Sequence, residues 1–250
     1  MNIDLFHGWA MHGGIWAPLQ SALVASGIQL HTPDLPGHGH AREFPEVFTL
    51  DTLADELADR LSGSGLVGGW SLGGMVAMNL ALRHPDKARG IILINTTPSF
   101  ACRNDWRAGV AVDVLSGFTE GLEHDAARTL TRFLSLQLGK NSSADQLRDL
   151  RQLVNARPVP EMAALRDGLR ILAEADMRSQ LAAIDIPTLI IHGDRDRLAP
   201  VAAARWLTEL WPQAHLCTIA GAGHAPFLSH PEQVADAMAE FVSTHQEDFS

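Results

Sequence analysis

Between an apolar run, Gly65-Leu66-Val67, and a helix-like run, Met75-Val76-Ala77-Met78-Asn79-Leu80-Ala81-Leu82, the chain reads Gly68-Gly69-Trp70-Ser71-Leu72-Gly73-Gly74. Gly69-x-Ser71-x-Gly73 fits G-x-S-x-G, the pattern of a serine on a sharp strand-to-helix turn. Such a turn holds the serine in a strained backbone conformation, and its neighbours approach too closely for side chains. The hydroxyl then stands exposed above a sheet, at a helix N-terminus that favours developing negative charge. The alternative is an ordinary glycine-rich turn with serine as helix N-cap. An acid and a histidine elsewhere in the chain would separate the two.

The flanking sequence predicts an α/β sheet. Ile3-Asp4-Leu5-Phe6 is a short strand running into His7-Gly8-Trp9, and Ile15 to Val24 has helical spacing. Ile28–Thr32 alternates as a strand and ends in a breaker-rich loop, Pro33-Asp34-Leu35-Pro36-Gly37-His38-Gly39-His40. Leu50 to Leu61 is an amphipathic helix, and Ile91-Ile92-Leu93-Ile94 is the continuous apolar run of a strand buried on both faces. From about Asn95 to Asp185 helical patterns replace strands. Alternation resumes at Pro187–His192, with a helix near Val201–Leu210, a strand at His215–Ile219 and a helix over about Pro231–Thr244. The expected fold is an α/β, mostly parallel sheet with helices on both faces. Residues 1–96 and 185–250 form its core, and 97–184 form an inserted helical cap.

Size and charge narrow the function. A chain of 250 residues with 46% hydrophobic and 19% charged residues reads as one globular unit. No apolar run approaches the ~20 residues that span a bilayer, and the start, Met1-Asn2-Ile3-Asp4, has no basic leader segment, so no membrane association or signal peptide is expected. Cys102 and Cys217 make no disulfide framework, which suits the cytoplasm. The net charge of −10 argues against nucleic acid. Residues 101–180 carry eleven basic and eleven acidic side chains, so the excess negative charge lies outside them, and an acidic partner would meet this segment.

Two further loops leave the C-terminal ends of strands, where open α/β sheets place ligands. One is His192-Gly193-Asp194-Arg195-Asp196-Arg197-Leu198-Ala199-Pro200, the other Gly221-Ala222-Gly223-His224-Ala225-Pro226-Phe227. Ser71, then an aspartate, then His224 is the order of a hydrolase triad, with His224 as general base and the carboxylate fixing its tautomer. An oxyanion hole would take one backbone N–H from Leu72 and one from the His7-Gly8-Trp9 loop. The histidine pairs His7/His12 and His38/His40 lack metal-ligand spacing, so neither a metal nor another cofactor is expected.

With these residues the chain resembles the α/β-hydrolase superfamily over nearly its full length. Within it, the chain is most similar to the pimeloyl-acyl-carrier-protein methyl ester esterases of biotin biosynthesis. The matching stretches are His7-Gly8-Trp9, Asp34-Leu35-Pro36-Gly37, Gly69–Gly74, Arg132-Phe133-Leu134-Ser135-Leu136-Gln137 and Ala222–Pro231. The resemblance implies a serine carboxylesterase that frees the distal carboxylate of a pimeloyl chain on acyl carrier protein. It implies Ser71 as nucleophile, Asp196 as acid and His224 as base, with Trp9 and Leu72 around the ester. Phe133, Leu134, Ser135, Leu136 and Gln137 would line an acyl tunnel. Arg128, Arg132 and Arg148 would meet the carrier, unless they form a solvated helix face.

Many relatives carry an extra strand or two before the His-Gly-Trp strand, so a shorter sheet with a different edge is expected here unless the native chain begins upstream of Met1. A monomer is expected. The alternatives are a capped hydrolase on small soluble esters, enol-lactones or C–C bonds, and a non-catalytic ligand receptor.

Overall fold

Each strand is a short run ending in a chain-breaking loop. In the computed structural model, which describes residues 1–137 and 144–249, six of them join in one parallel sheet. These are β1 (Asn2–Phe6), β2 (Gln29–His31), β3 (Gly65–Trp70), β4 (Ala88–Ile94), β5 (Thr188–Gly193) and β6 (Ala214–Ile219), in the order β2-β1-β3-β4-β5-β6. β2, of three residues, and β6, of six, are the edges. Ile91 to Ile94 of β4 are fully buried, as a parallel strand covered on both faces requires.

Helices α1 (Ala17–Ala22), α2 (Leu50–Ala58) and α3 (Leu72–Arg83) connect the first four strands. α2 starts where Thr49 and Thr52 cap each other reciprocally, and it buries Leu53, Ala54, Leu57 and Ala58. Helices α4 (Val112–His124), α5 (Ala126–Gln137), α6 (Ala144–Val154) and α7 (Met162–Glu174) all lie between β4 and β5. α8 (Val201–Leu210) joins β5 to β6, and α9 (Pro226–Ser229) and α10 (Pro231–Thr244) close the chain. Right-handed crossovers put α2, α3 and α8 on one face of the sheet. The reversed step from β1 to β2 puts α1 on the other face, where α10 packs against it.

That reversal sends the chain in opposite directions from the adjacent C-terminal ends of β1 and β3, a switch point where open sheets bind ligands. The loop bearing Trp9 and the turn bearing Ser71 flank it. The helical segment is tied to the loop after β2 and closed across its own base. Arg157 donates to Asp34 at 2.6 Å, the Glu161 N–H to Gly37 O at 2.8 Å and the Met177 N–H to Pro98 O at 3.0 Å. Among the described residues no helix is long and apolar enough to cross a membrane.

Candidate active site

Ser71 links β3 to α3 with φ 57° and ψ −120°, a left-handed conformation that costs a serine on the order of 1–3 kcal/mol. The surrounding backbone imposes it. A Cβ at Gly69 would lie 2.3 Å from the Gly73 carbonyl, and one at Gly73 would lie 2.2 Å from Phe6 O, so strand, turn and helix close only with glycine at both positions. The Ser71 N–H donates to Ile94 O at 3.1 Å, and Thr96 Oγ1 donates to Ser71 O at 2.7 Å. The turn is thereby pinned to the end of β4.

His224 sits on the loop between β6 and α9. Its Nδ1 is 2.7 Å from Asp196 Oδ2, and among the described residues its buried Nε2 has no hydrogen-bond partner. The Trp70 indole N–H donates to His224 O at 2.7 Å, so the tryptophan beside the serine also positions the histidine loop. Asp196 follows β5 and its side chain is fully buried. Oδ1 accepts the N–H groups of Leu198 and Ala199, at 2.8 and 3.1 Å. Burial opposes the Asp196 charge. The charge and hydrogen bond of His224, with His192 and Asn95, outweigh it and hold the carboxyl below its ordinary range. Asp194, two residues earlier, is exposed and accepts the Gly221 N–H at 2.7 Å, fastening a turn away from His224.

Ser71 and His224 face one small apolar cavity of about 30 Å³, walled by Phe118, Phe133, Leu169 and Leu198 among others. A second cavity of about 280 Å³ lies between α5 and residues 154–160, and Phe133 belongs to both walls. Trp9 is buried against Phe133 and Phe118 in edge contacts of 4.7 and 6.3 Å, with its indole N–H on Leu165 O at 2.8 Å. Among the described residues, no acceptor is paired with the backbone N–H of Trp9 or of Leu72.

The other expected residues divide. Leu134 lines the second cavity. Ser135 is exposed, its hydroxyl turned back to Arg132 O, and Leu136 is half-buried against the core. Gln137 is fully buried but outside both linings. Its Nε2 donates to Phe133 O at 2.8 Å, and Oε1 has no partner among the described residues. Arg128 and Arg132 are exposed on α5, with the Arg132 guanidinium 5.3 Å from the centre of the Phe118 ring. Arg148, on α6, pairs with Asp145 at 3.0 Å.

A family model described as alpha/beta hydrolase fold matches residues 3–231. A pimeloyl-[acyl-carrier protein] methyl ester esterase from Nitrosomonas europaea is 42% identical over 93% of this chain and 92% of its own length. A protein of the same name from Aeromonas hydrophila is 40% identical over 96% of this chain and 95% of its own. The chain belongs to this esterase family, within the α/β hydrolases. The family is one of carboxylic ester hydrolases, and the chain is an enzyme of that class. Among solved structures, an esterase from Exiguobacterium antarcticum superposes with a TM-score of 0.88 at 22% identity, covering 97% of this chain and 92% of that one. An enol-lactonase from Burkholderia xenovorans gives 0.80 at 21%, covering 97% and 91%. Both likenesses describe the fold.

In this family member, two buried residues beside Asp196 belong to no motif in the sequence. Asn95 is fully buried at the end of β4, and His192 is fully buried at the end of β5. His192 Nε2 lies 3.8 Å from Asp196 Oδ2 and donates to Ala199 O at 2.7 Å. Burial, with the nearby charge of His224, pulls its pKa below the ordinary imidazole range despite Asp196 and that hydrogen bond. Their position directly after apolar strand runs was the available signal, since that edge of the sheet carries the site.

Proposed function

We propose that this enzyme hydrolyses the methyl ester of a pimeloyl chain carried by acyl carrier protein, in biotin biosynthesis, through Ser71, Asp196 and His224. Ser71 Oγ attacks the ester carbonyl while His224 Nε2 takes its proton. The oxyanion is held by the N–H groups of Trp9 and Leu72, each worth roughly 3 kcal/mol of transition-state stabilisation. His224 returns the proton to the departing methoxide, releasing methanol. Water then attacks the acyl-enzyme by the same route, leaving a free carboxylate on the carrier-bound chain. Asp196 holds the imidazole in the tautomer with Nδ1 protonated and stabilises its cation.

The observation that carries this reading is the identity of about 40% extending over nearly the whole length of relatives with that name. It includes the helices between β4 and β5, where hydrolases of one fold differ in substrate. In this reading residues 97–184 act as a cap over the core of 1–96 and 185–250. The inner cavity has room for about one water-sized group, which suits a methyl ester and not a bulky alcohol. The acyl chain runs past Phe133 toward the second cavity, lined by Leu130 and Leu134. The protein works as a cytoplasmic monomer.

The test compares methyl pimeloyl carrier protein with free methyl esters. A kcat/KM at least tenfold higher for the carrier-bound ester is expected. Equal values, or a preference for small free esters, would overturn the carrier reading. Labelling of the wild type by a fluorophosphonate, lost in Ser71→Ala, reports the nucleophile independently.

A further inference from the structure

We propose that Asn95 is a positioning residue for the Asp196 carboxylate, keeping the oxygen used by His224 in place; this rests on the reading of Asp196 as the triad acid. Asn95 stands at the end of β4 with φ 42°, a left-handed conformation that asparagine tolerates better than most residues. Both ends of its amide are bonded. Nδ2 donates to Asp196 Oδ2 at 2.6 Å and to Gly223 O at 3.1 Å. Oδ1 accepts the Gly193 N–H at 3.2 Å. One buried side chain thus joins the end of β5, the acid, and the residue preceding His224.

The amide has a specific task because Asp196 has two histidine neighbours. Oδ2 is 2.7 Å from His224 Nδ1 and 3.8 Å from His192 Nε2. Backbone donors anchor only the other oxygen, Oδ1. With the Asn95 donor gone, Oδ2 keeps His224 alone and is free to swing toward His192. The titratable groups facing Asp196 are these two histidines; Arg195 and Arg197, its chain neighbours, are exposed. A neutral donor is the chemistry the position needs, because a second carboxylate there would share one proton with Asp196.

Two variants test this, with hydrolysis of free methyl butyrate followed by pH-stat. Asn95→Gly keeps the left-handed backbone at no steric cost and removes the amide. We expect kcat to fall at least tenfold, with KM within twofold and the melting curve still cooperative. Asn95→Asp keeps the size and turns the donor into a carboxyl that donates only when protonated. Its activity should be deeply reduced at pH 8, and its pH optimum should move to lower pH than the wild type's. A merely structural tie would lower activity without moving the optimum. An unchanged kcat in Asn95→Gly, or an unmoved profile in Asn95→Asp, would overturn the proposal. Asp196→Asn separates it from the reading beneath it. Full activity there would overturn the triad and this proposal together. An impaired Asp196→Asn beside a fully active Asn95→Gly would overturn this proposal alone.

Discussion

The backbone N–H of Ala225, the residue after His224, donates to the carbonyl of Gln137 at 3.0 Å. The last turn of α5 is therefore bonded to the histidine loop. Trp70 holds the same loop from the core side through His224 O. His224 is gripped between the helical segment and the sheet.

If the helical segment lifts to admit a chain, this bond must open with it. In native-state hydrogen exchange the Ala225 amide should exchange together with the α5 amides, and faster than those of β4. Capping Ser71 with a phosphonate should slow both. Exchange of Ala225 at the β4 rate would show that the segment does not open separately from the sheet.

The strain at Ser71 gives a second expectation. Ser71→Gly and Ser71→Ala should both lose nearly all esterase activity, because the attacking oxygen is gone. They should differ in stability. Glycine takes φ 57° freely, so Ser71→Gly should gain on the order of 1 kcal/mol in urea unfolding, while Ser71→Ala should not. More than a few percent of activity in either variant would remove Ser71 as nucleophile.

Arg128 and Arg132 are four residues apart on α5 and share a face. Reversing both to Glu should raise KM for a carrier-bound ester about tenfold, leave a short free ester nearly unchanged, and flatten the salt dependence of the carrier reaction. Reversing Arg148 should do less, since Asp145 and Asp149 already compensate its charge. Equal loss on both substrates would mean that the arginines hold the helices together. No loss on either would place the carrier elsewhere.

Acid should destabilise the fold through two buried histidines. His7 uses both nitrogens, Nδ1 on Gly8 O and Nε2 under the Leu35 N–H, which leaves the ring neutral. Burial first, then the neighbouring His38, lowers its pKa from 6.5 to about 3. Burial lowers that of His38 from 6.5 to about 4. Below pH 6.5 the unfolded chain takes up protons that the folded one refuses, so stability should fall as pH drops from about 6.5 toward 4. The slope is at most about 1.4 kcal/mol per pH unit for each histidine. Melting curves between pH 7 and 4.5 should show this, with a shallower slope for His38→Leu. The same slope in that variant would assign the effect to other groups.

The serine turn was legible in the sequence because the G-x-S-x-G pattern records close approach of backbone: Gly69 faces the Gly73 carbonyl within the turn, and Gly73 faces Phe6 O on the neighbouring strand β1. Strand and helix order was legible for a related reason, since the spacing of apolar residues records which face each element buries. The final helix occupies Pro231–Thr244 as expected, while the expected helix to Leu61 stops at Ala58 and the strand at Ile28–Thr32 shortens to Gln29–His31. Spacing alone left two aspartates open in one loop, and resemblance was needed to prefer Asp196. What the tertiary structure decided is which residues meet. His224 reaches Asp196 across 28 residues and Asn95 reaches it across 101. Those separations close through the register of β4, β5 and β6, which no local pattern encodes. The same register sets Asp194 on a solvent-facing turn and seals Asp196 beside two histidines. The packing of α7 over the loop after β1 likewise bonds the Trp9 indole to Leu165 O, across 156 residues. A side chain's type fixes what it can donate or accept, and only the packed sheet fixes which partner is within 3 Å of it.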